Sequence, residues 1–152
     1  MKALLIKTGF LAFCGIVLLC GCNSYKVVPL PYDEELKDIA VVDNPRVIVH
    51  DFVDVMADEF AARNIKLRHV AAEQAEKSNG YVIRYDARQS WDFTTYLSDA
   101  TIRISRNGMP VASGKYHHVG ESLSLDIFTK WRETEWKMKD VYDELLKNFP
   151  SK

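Results

Sequence analysis

"ATIRISRNGMPVASGKYHH", residues 100–118, carries the folding instruction on which the rest of the chain can be placed. Ala100, Ile102 and Ile104 alternate with Thr101, Arg103 and Ser105, the period of a half-buried strand. Arg106-Asn107-Gly108 then supplies a tight-turn signal, because Asn-Gly accepts the positive φ angles that a two-residue hairpin requires. Residues 110–118 form the return strand. One antiparallel hairpin is therefore fixed, and its apolar side must be covered by something else in the chain.

Working outward, "YVIRYDAR" (81–88) alternates in the same way, with Tyr81, Ile83, Tyr85 and Ala87 on one side. "IKLRHV" (65–70) reads as a further strand, and "KDIAVVD" (37–43) as another, stopped by Asn44-Pro45. Between these two, Val49, Phe52, Val53, Met56, Phe60 and Ile65 recur near three-and-four spacing. That pattern predicts an amphipathic helix, with Asp51 and Asp54 early in it, where the helix dipole favours acids. "AAEQAEKSNG" (71–80) reads as a polar connection. A long C-terminal helix is expected over about 128–149, with Phe128, Trp131, Met138, Val141, Tyr142, Leu145, Leu146 and Phe149 as its apolar stripe, ended by Pro150. The order β-α-β-β-β-β-α predicts an α+β two-layer sandwich. A mostly antiparallel sheet of four to five strands carries two helices on one face.

The N-terminus is of a different kind. Lys2 and Lys7 precede the uncharged "TGFLAFCGIVLL" (8–19), the composition of an export signal. The run is shorter than the ~20 residues that span a bilayer. Leu19-Cys20-Gly21-Cys22 looks like a bacterial lipobox, in which the last cysteine is acylated and becomes the new first residue. Cys20 occupies a position more often held by Ala, Ser, Thr or Val. The alternative is a plain signal or anchor segment with Cys22 an ordinary thiol. On the lipobox reading residues 1–21 are a lipoprotein signal peptide and 22–36 a lipid-anchored tether containing Pro29 and Pro31. Residues 37–150 are then a single domain, with palmitate-type acyl chains on Cys22 and no free thiol left. Asn23 stands where resemblance to Gram-negative lipoproteins puts an inner-membrane retention Asp, so the outer membrane, facing the periplasm, is expected.

The 152 residues carry 20 basic and 21 acidic side chains, and removal of the signal leaves 18 against 21, a balance of −3. Such a charge gives no argument for nucleic acid. The distribution is more informative than the sum. If Ile65/Leu67, Ile83/Tyr85, Ile102/Ile104 and Ala112/Tyr116 face the helices, the other face shows Lys66 and Arg68, then Arg84, Asp86 and Arg88. Beside them lie Thr101, Arg103 and Ser105, then Ser113, Lys115 and His117. Lys66, Arg68, Arg84, Arg88, Arg103 and Lys115 are thus a candidate anion- or partner-binding set. One reading is a solvated polar face with Asp86 as partial counterion. The other is that clustered like charges, costly on neighbouring strands, meet an anion or an acidic surface. Lipopolysaccharide phosphates, phospholipid headgroups and acidic envelope proteins are the partners within reach of such an anchor.

Catalytic motifs do not emerge. There is no G-x-S-x-G, no Walker A loop and no H-E-x-x-H. His117 and His118 are adjacent, so a regular strand points them to opposite faces and they cannot share a metal. His50 and His69 are isolated. No metal, no cofactor and no catalytic residue is expected; an envelope hydrolase stays as the lesser alternative. "RQSWDFTTYLSDA" (88–100) groups Trp91, Phe93 and Tyr96 between two strands. They are read either as loop aromatics folded over the core edge or as an exposed interaction patch. Trp136 falls outside the best helix register.

Asn44, Pro45, Phe52, Trp91, Asp92, Phe93, Tyr96, Leu97, Ala100, Gly108, Tyr116, Lys130 and Trp131 together resemble the pattern of a family of small uncharacterised Gram-negative lipoproteins. That resemblance implies export and lipidation and carries no mechanism. The order of elements is also similar to that of the lipoprotein that plugs the lipopolysaccharide-transport barrel, a likeness of fold alone. The resulting expectation is a binding module; a structural lipoprotein of an envelope-assembly complex is the alternative.

Overall fold

A computed structural model of the chain describes residues 24–119 and 132–151. The signal peptide, Cys22, Phe128, Lys130 and Trp131 lie outside the described residues. Six strands and three helices follow in the order β1 (Ser24–Val28), β2 (Asp38–Val42), α1 (Phe52–Ala61), β3 (Lys66–Val70), α2 (Ala72–Glu76), β4 (Tyr81–Asp92), β5 (Thr94–Arg106), β6 (Met109–His117) and α3 (Thr134–Leu145). They build one α+β unit on a mixed, mostly antiparallel sheet with strand order β1-β6-β5-β4-β2-β3. β2 runs parallel to both β3 and β4; the other pairs are antiparallel.

The predicted hairpin forms at Asn107-Gly108, with φ of 52° and 78° and Arg106 facing Met109 across the turn. Both residue types accept this left-handed backbone, which matches the twist of the flanking strands. α1 buries Phe52, Met56 and Phe60. It stops at Asn64, whose φ is 61°, as the Ile65 amide closes on the Phe60 carbonyl at 3.0 Å. α3 buries Met138, Val141, Tyr142 and Leu145. Both helices lie on the face formed by Ile39, Val41, Ile83, Tyr85, Ile102, Ile104, Ala112 and Tyr116, all buried. The face predicted to be core is core.

The expected four to five strands and two helices are six strands and three helices among the described residues, and four expectations about particular segments need correction. Residues 24–36 are not a tether: Ser24–Val28 pair with β6, Leu30 is fully buried, and Leu36 is buried with it. As an edge strand, β1 buries no side chain completely, so it shows no apolar period. The polar connection 71–80 contains the short α2, whose Ala75 packs on Ala40, Val42, Val70 and Val82. The far face of the sheet is therefore covered at one corner. The stretch 88–100 continues the β4–β5 pairing out to Asp92 and Thr94. A bulge hides it from a period-two reading. Arg88 faces Asp99 whereas Gln89 faces Leu97, so Ser98 is inserted and the alternation changes phase. Finally, the C-terminal helix is regular over Thr134–Leu145, shorter than the expected 128–149.

Candidate functional site

The basic face forms because β4, β5, β6 and β1 present alternate residues to the side away from α1 and α3. Arg84 stands directly opposite Arg103, and Lys115 lies between Thr101 on one side and Lys26 on the other. All four cations are exposed. Among the described residues none of the four has a carboxylate oxygen within 4.0 Å. Two shallow grooves meet at this pair. One, of about 560 Å³, is lined by Arg84, Arg103, Lys115, Ser113 and Val28. The other, of about 630 Å³, takes Arg84, Arg88 and Arg103 together with Arg46 from the Asn44-Pro45 turn. Asp86 also lines it, and Arg88 Nε lies 4.0 Å from Asp86 Oδ2.

The structure thus gathers Arg84, Arg88, Arg103 and Lys115. It does not bring Lys66 and Arg68 to them. β3 is the far edge of the sheet, with β2 between it and β4, and α2 caps the apolar corner there. Arg68 pairs instead with Asp38 at 3.7 Å. Lys26 and Arg46 are additions that the sequence did not offer. The first sits on a strand without periodicity and the second in a turn.

Beyond the Arg68 side, Asp33 accepts a hydrogen bond from the Tyr81 hydroxyl at 2.9 Å and one from the Glu35 amide at 3.0 Å. Arg106 lies 3.3 Å from the same carboxylate, and its guanidinium stacks over the Tyr81 ring at 5.0 Å. This fastens the segment after β1 to the sheet and leaves its charges satisfied.

Histidines are placed as strand geometry requires. His117 is exposed, with Nδ1 2.6 Å from Asp99 Oδ1, while His118 is buried edge-on to Tyr96 at 5.4 Å. His69 similarly meets Asp43 at 2.6 Å. Among the described residues no three His, Cys, Asp or Glu side chains converge as a metal site. No described helix is long and apolar enough to cross a membrane.

The aromatic set divides. Tyr96 is half-buried and lies under the Lys137 ammonium, 4.9 Å from the ring centre. Trp91 and Phe93 are 73% and 86% exposed, at the end of the β4–β5 hairpin, with Phe93 as the turn residue at φ 59°. Trp136 is 43% exposed under the Arg132 guanidinium, 4.3 Å away.

No protein-family model and no curated protein matches the chain. Among solved structures it is similar to PelC dodecamers from Paraburkholderia phytofirmans. A leucine-to-methionine variant of PelC aligns with a TM-score of 0.55 and 16% identity over 82% of this chain and 98% of that one. A second PelC dodecamer gives 0.53 and 18% over 86% and 100%. At such identity the likeness is one of fold.

Proposed function

We propose that this chain is an outer-membrane lipoprotein, acylated at Cys22 and facing the periplasm, whose domain binds a phosphate-bearing envelope component through its basic strand face. The observation that supports this is the direct opposition of Arg84 and Arg103, exposed and without a carboxylate partner among the described residues. Like charges so placed cost stability. An anion seated between two planar guanidinium forks turns that cost into charge-assisted hydrogen bonds. Lys115, Lys26 and Arg88 extend the positive surface around the pair. The test is retention of the polypeptide 23–152 on lipopolysaccharide and on vesicles containing phosphatidylglycerol. Arg84→Glu with Arg103→Glu is expected to weaken retention roughly tenfold or more, the scale of losing charged hydrogen bonds. Raising the salt concentration is expected to weaken the parent in the same direction. Equal retention by parent and variant at every salt concentration refutes the proposal, and retention only on an acidic protein would redirect it.

A second reading, a structural subunit of a multi-copy envelope assembly, is favoured by the two outer sheet edges. No described strand pairs with the free side of β1 or of β3. The PelC proteins of similar fold are dodecamers.

A further inference from the structure

The β4–β5 hairpin and the start of β1 leave the sheet at the same end. Ser24 faces His117, His117 faces Asp99, and Asp99 faces Arg88, so one transverse row joins the first residue of β1 to the base of the hairpin arm. β6 pairs no farther than Asp99. Beyond the row the base of the arm is held by the His118 amide on the Ser98 carbonyl at 2.8 Å and by Lys137 Nζ on the Leu97 carbonyl at 3.0 Å; the outer part pairs Ser90 with Tyr96 and Asp92 with Thr94 and turns at Phe93. Five residues from Arg88 to Phe93, at about 3.3 Å each, carry the tip roughly 15 Å past the row. Cys22 precedes Ser24 by two residues and stays within about 7 Å of it.

The tip is unusual in composition. Trp91 and Phe93 are more exposed than any other large apolar side chains described. Phe93 holds a left-handed φ of 59°, a conformation that glycine adopts freely and a bulky residue adopts at a cost. Thr94 and Thr95 beside it are exposed and uncharged, and Arg88 stands exposed at the base. Asp92 between the two rings is half-buried and partnered; the apolar rings on either side of it, with a cation one arm's length behind them, form the profile of a segment seated at a membrane surface.

We infer that the β4–β5 arm inserts Trp91 and Phe93 into the phospholipid surface that holds the lipidated Cys22, making a second point of attachment for the domain. This rests on the proposed acylation of Cys22. The reach of the two elements agrees. A tip about 15 Å past the row, beside a lipid attachment within about 7 Å, lies at least about 8 Å deeper, enough to span the ~5–10 Å depth of interfacial insertion. Two contacts fix the tilt of the sheet against the membrane, which a single acylated residue does not.

The test uses the full chain, exported and matured in a Gram-negative host and reconstituted in vesicles of phosphatidylethanolamine and phosphatidylglycerol bearing spin-labelled quencher lipid. Acylation leaves an introduced cysteine as the sole thiol for a fluorescent label. Phe93→Cys and Thr94→Cys read the tip, the latter with both aromatics intact. Asn79→Cys, just before β4 at the opposite sheet end, is the reference. Quenching at 93 and 94 is expected to exceed that at 79 by about threefold or more, given the shallow depth of the zone. In the Thr94→Cys background, Trp91→Ser with Phe93→Ser is expected to abolish the difference. Equal quenching at both ends overturns the inference. So does a tip shielded by a second copy, seen as label protection that grows with protein density without lipid quenching. The mass of the mature N-terminus separates the two failures. An unmodified Cys22 sinks the anchor reading, whereas an acylated Cys22 with an unquenched tip sinks only the arm.

Discussion

Asp33 shows how a single carboxylate fixes a segment that lacks regular structure. The Tyr81 hydroxyl, first, and the Glu35 amide, next, hold its pKa below the ordinary carboxylate value, with the Arg106 charge adding to them. On the other side of the same contact, burial and the bond to Asp33 raise the Tyr81 hydroxyl above its usual range. The ionised Asp33 is favoured by the fold. Its contribution is therefore present above the unfolded carboxylate value near pH ~4 and is lost as pH falls through the lower folded value. Asp33→Asn is expected to lower Tm at pH 6 and to converge with the parent as pH approaches 2, a trend that thermal melts across this range would check. A constant offset at all pH values would mean that packing, rather than charge, holds the segment.

At the scale of elements, the α3–β6 contact depends on a missing side chain. Gly114 lies buried in β6 between Val27 and Ile102, and a Cβ placed there would stand 2.7 Å from Val141 Cγ1 of α3. Val141 is β-branched and fully buried, so it has little rotamer freedom to give way. Gly114→Ala is expected to cost about 1–3 kcal/mol by overpacking. Adding Val141→Ala is expected to recover part of that loss, which a denaturant-unfolding double-mutant cycle would measure. The hairpin around Asn107-Gly108 and the core sides of β4, β5 and β6 were legible in the sequence, because unbroken alternation and turn chemistry agree there. The outer arm was not, since the inserted Ser98 shifts the phase of alternation at the point where the strand leaves the sheet. β1 was hidden for a different reason: an edge strand with exposed side chains has no apolar face to announce itself.

For the molecule as a whole, the basic face was half legible. Period two assigns Arg84, Arg88, Arg103 and Lys115 to one side, but strand order decides which residues on that side become neighbours. With β2 inserted between β4 and β3, Lys66 and Arg68 are carried to the far edge, while β1, placed beside β6, adds Lys26. Among the described strands the same order leaves both outer rims unpaired, a liability that a closed assembly of copies removes. On the assembly reading, the polypeptide 23–152 is expected to scatter light as a multiple of the single-chain mass; a one-chain mass at all concentrations would remove that reading. The pairing of residue 24 with residue 117 also sets an order of events. Synthesis delivers β1 first, yet its template is complete only after β6 is made, so the opening strand waits through most of the chain's manufacture. Closing so distant a pair is slow relative to local turns. A shortened version begun at Lys37 would fold around a bare β6 flank and clump, whereas one begun at Asn23 would stay dispersed.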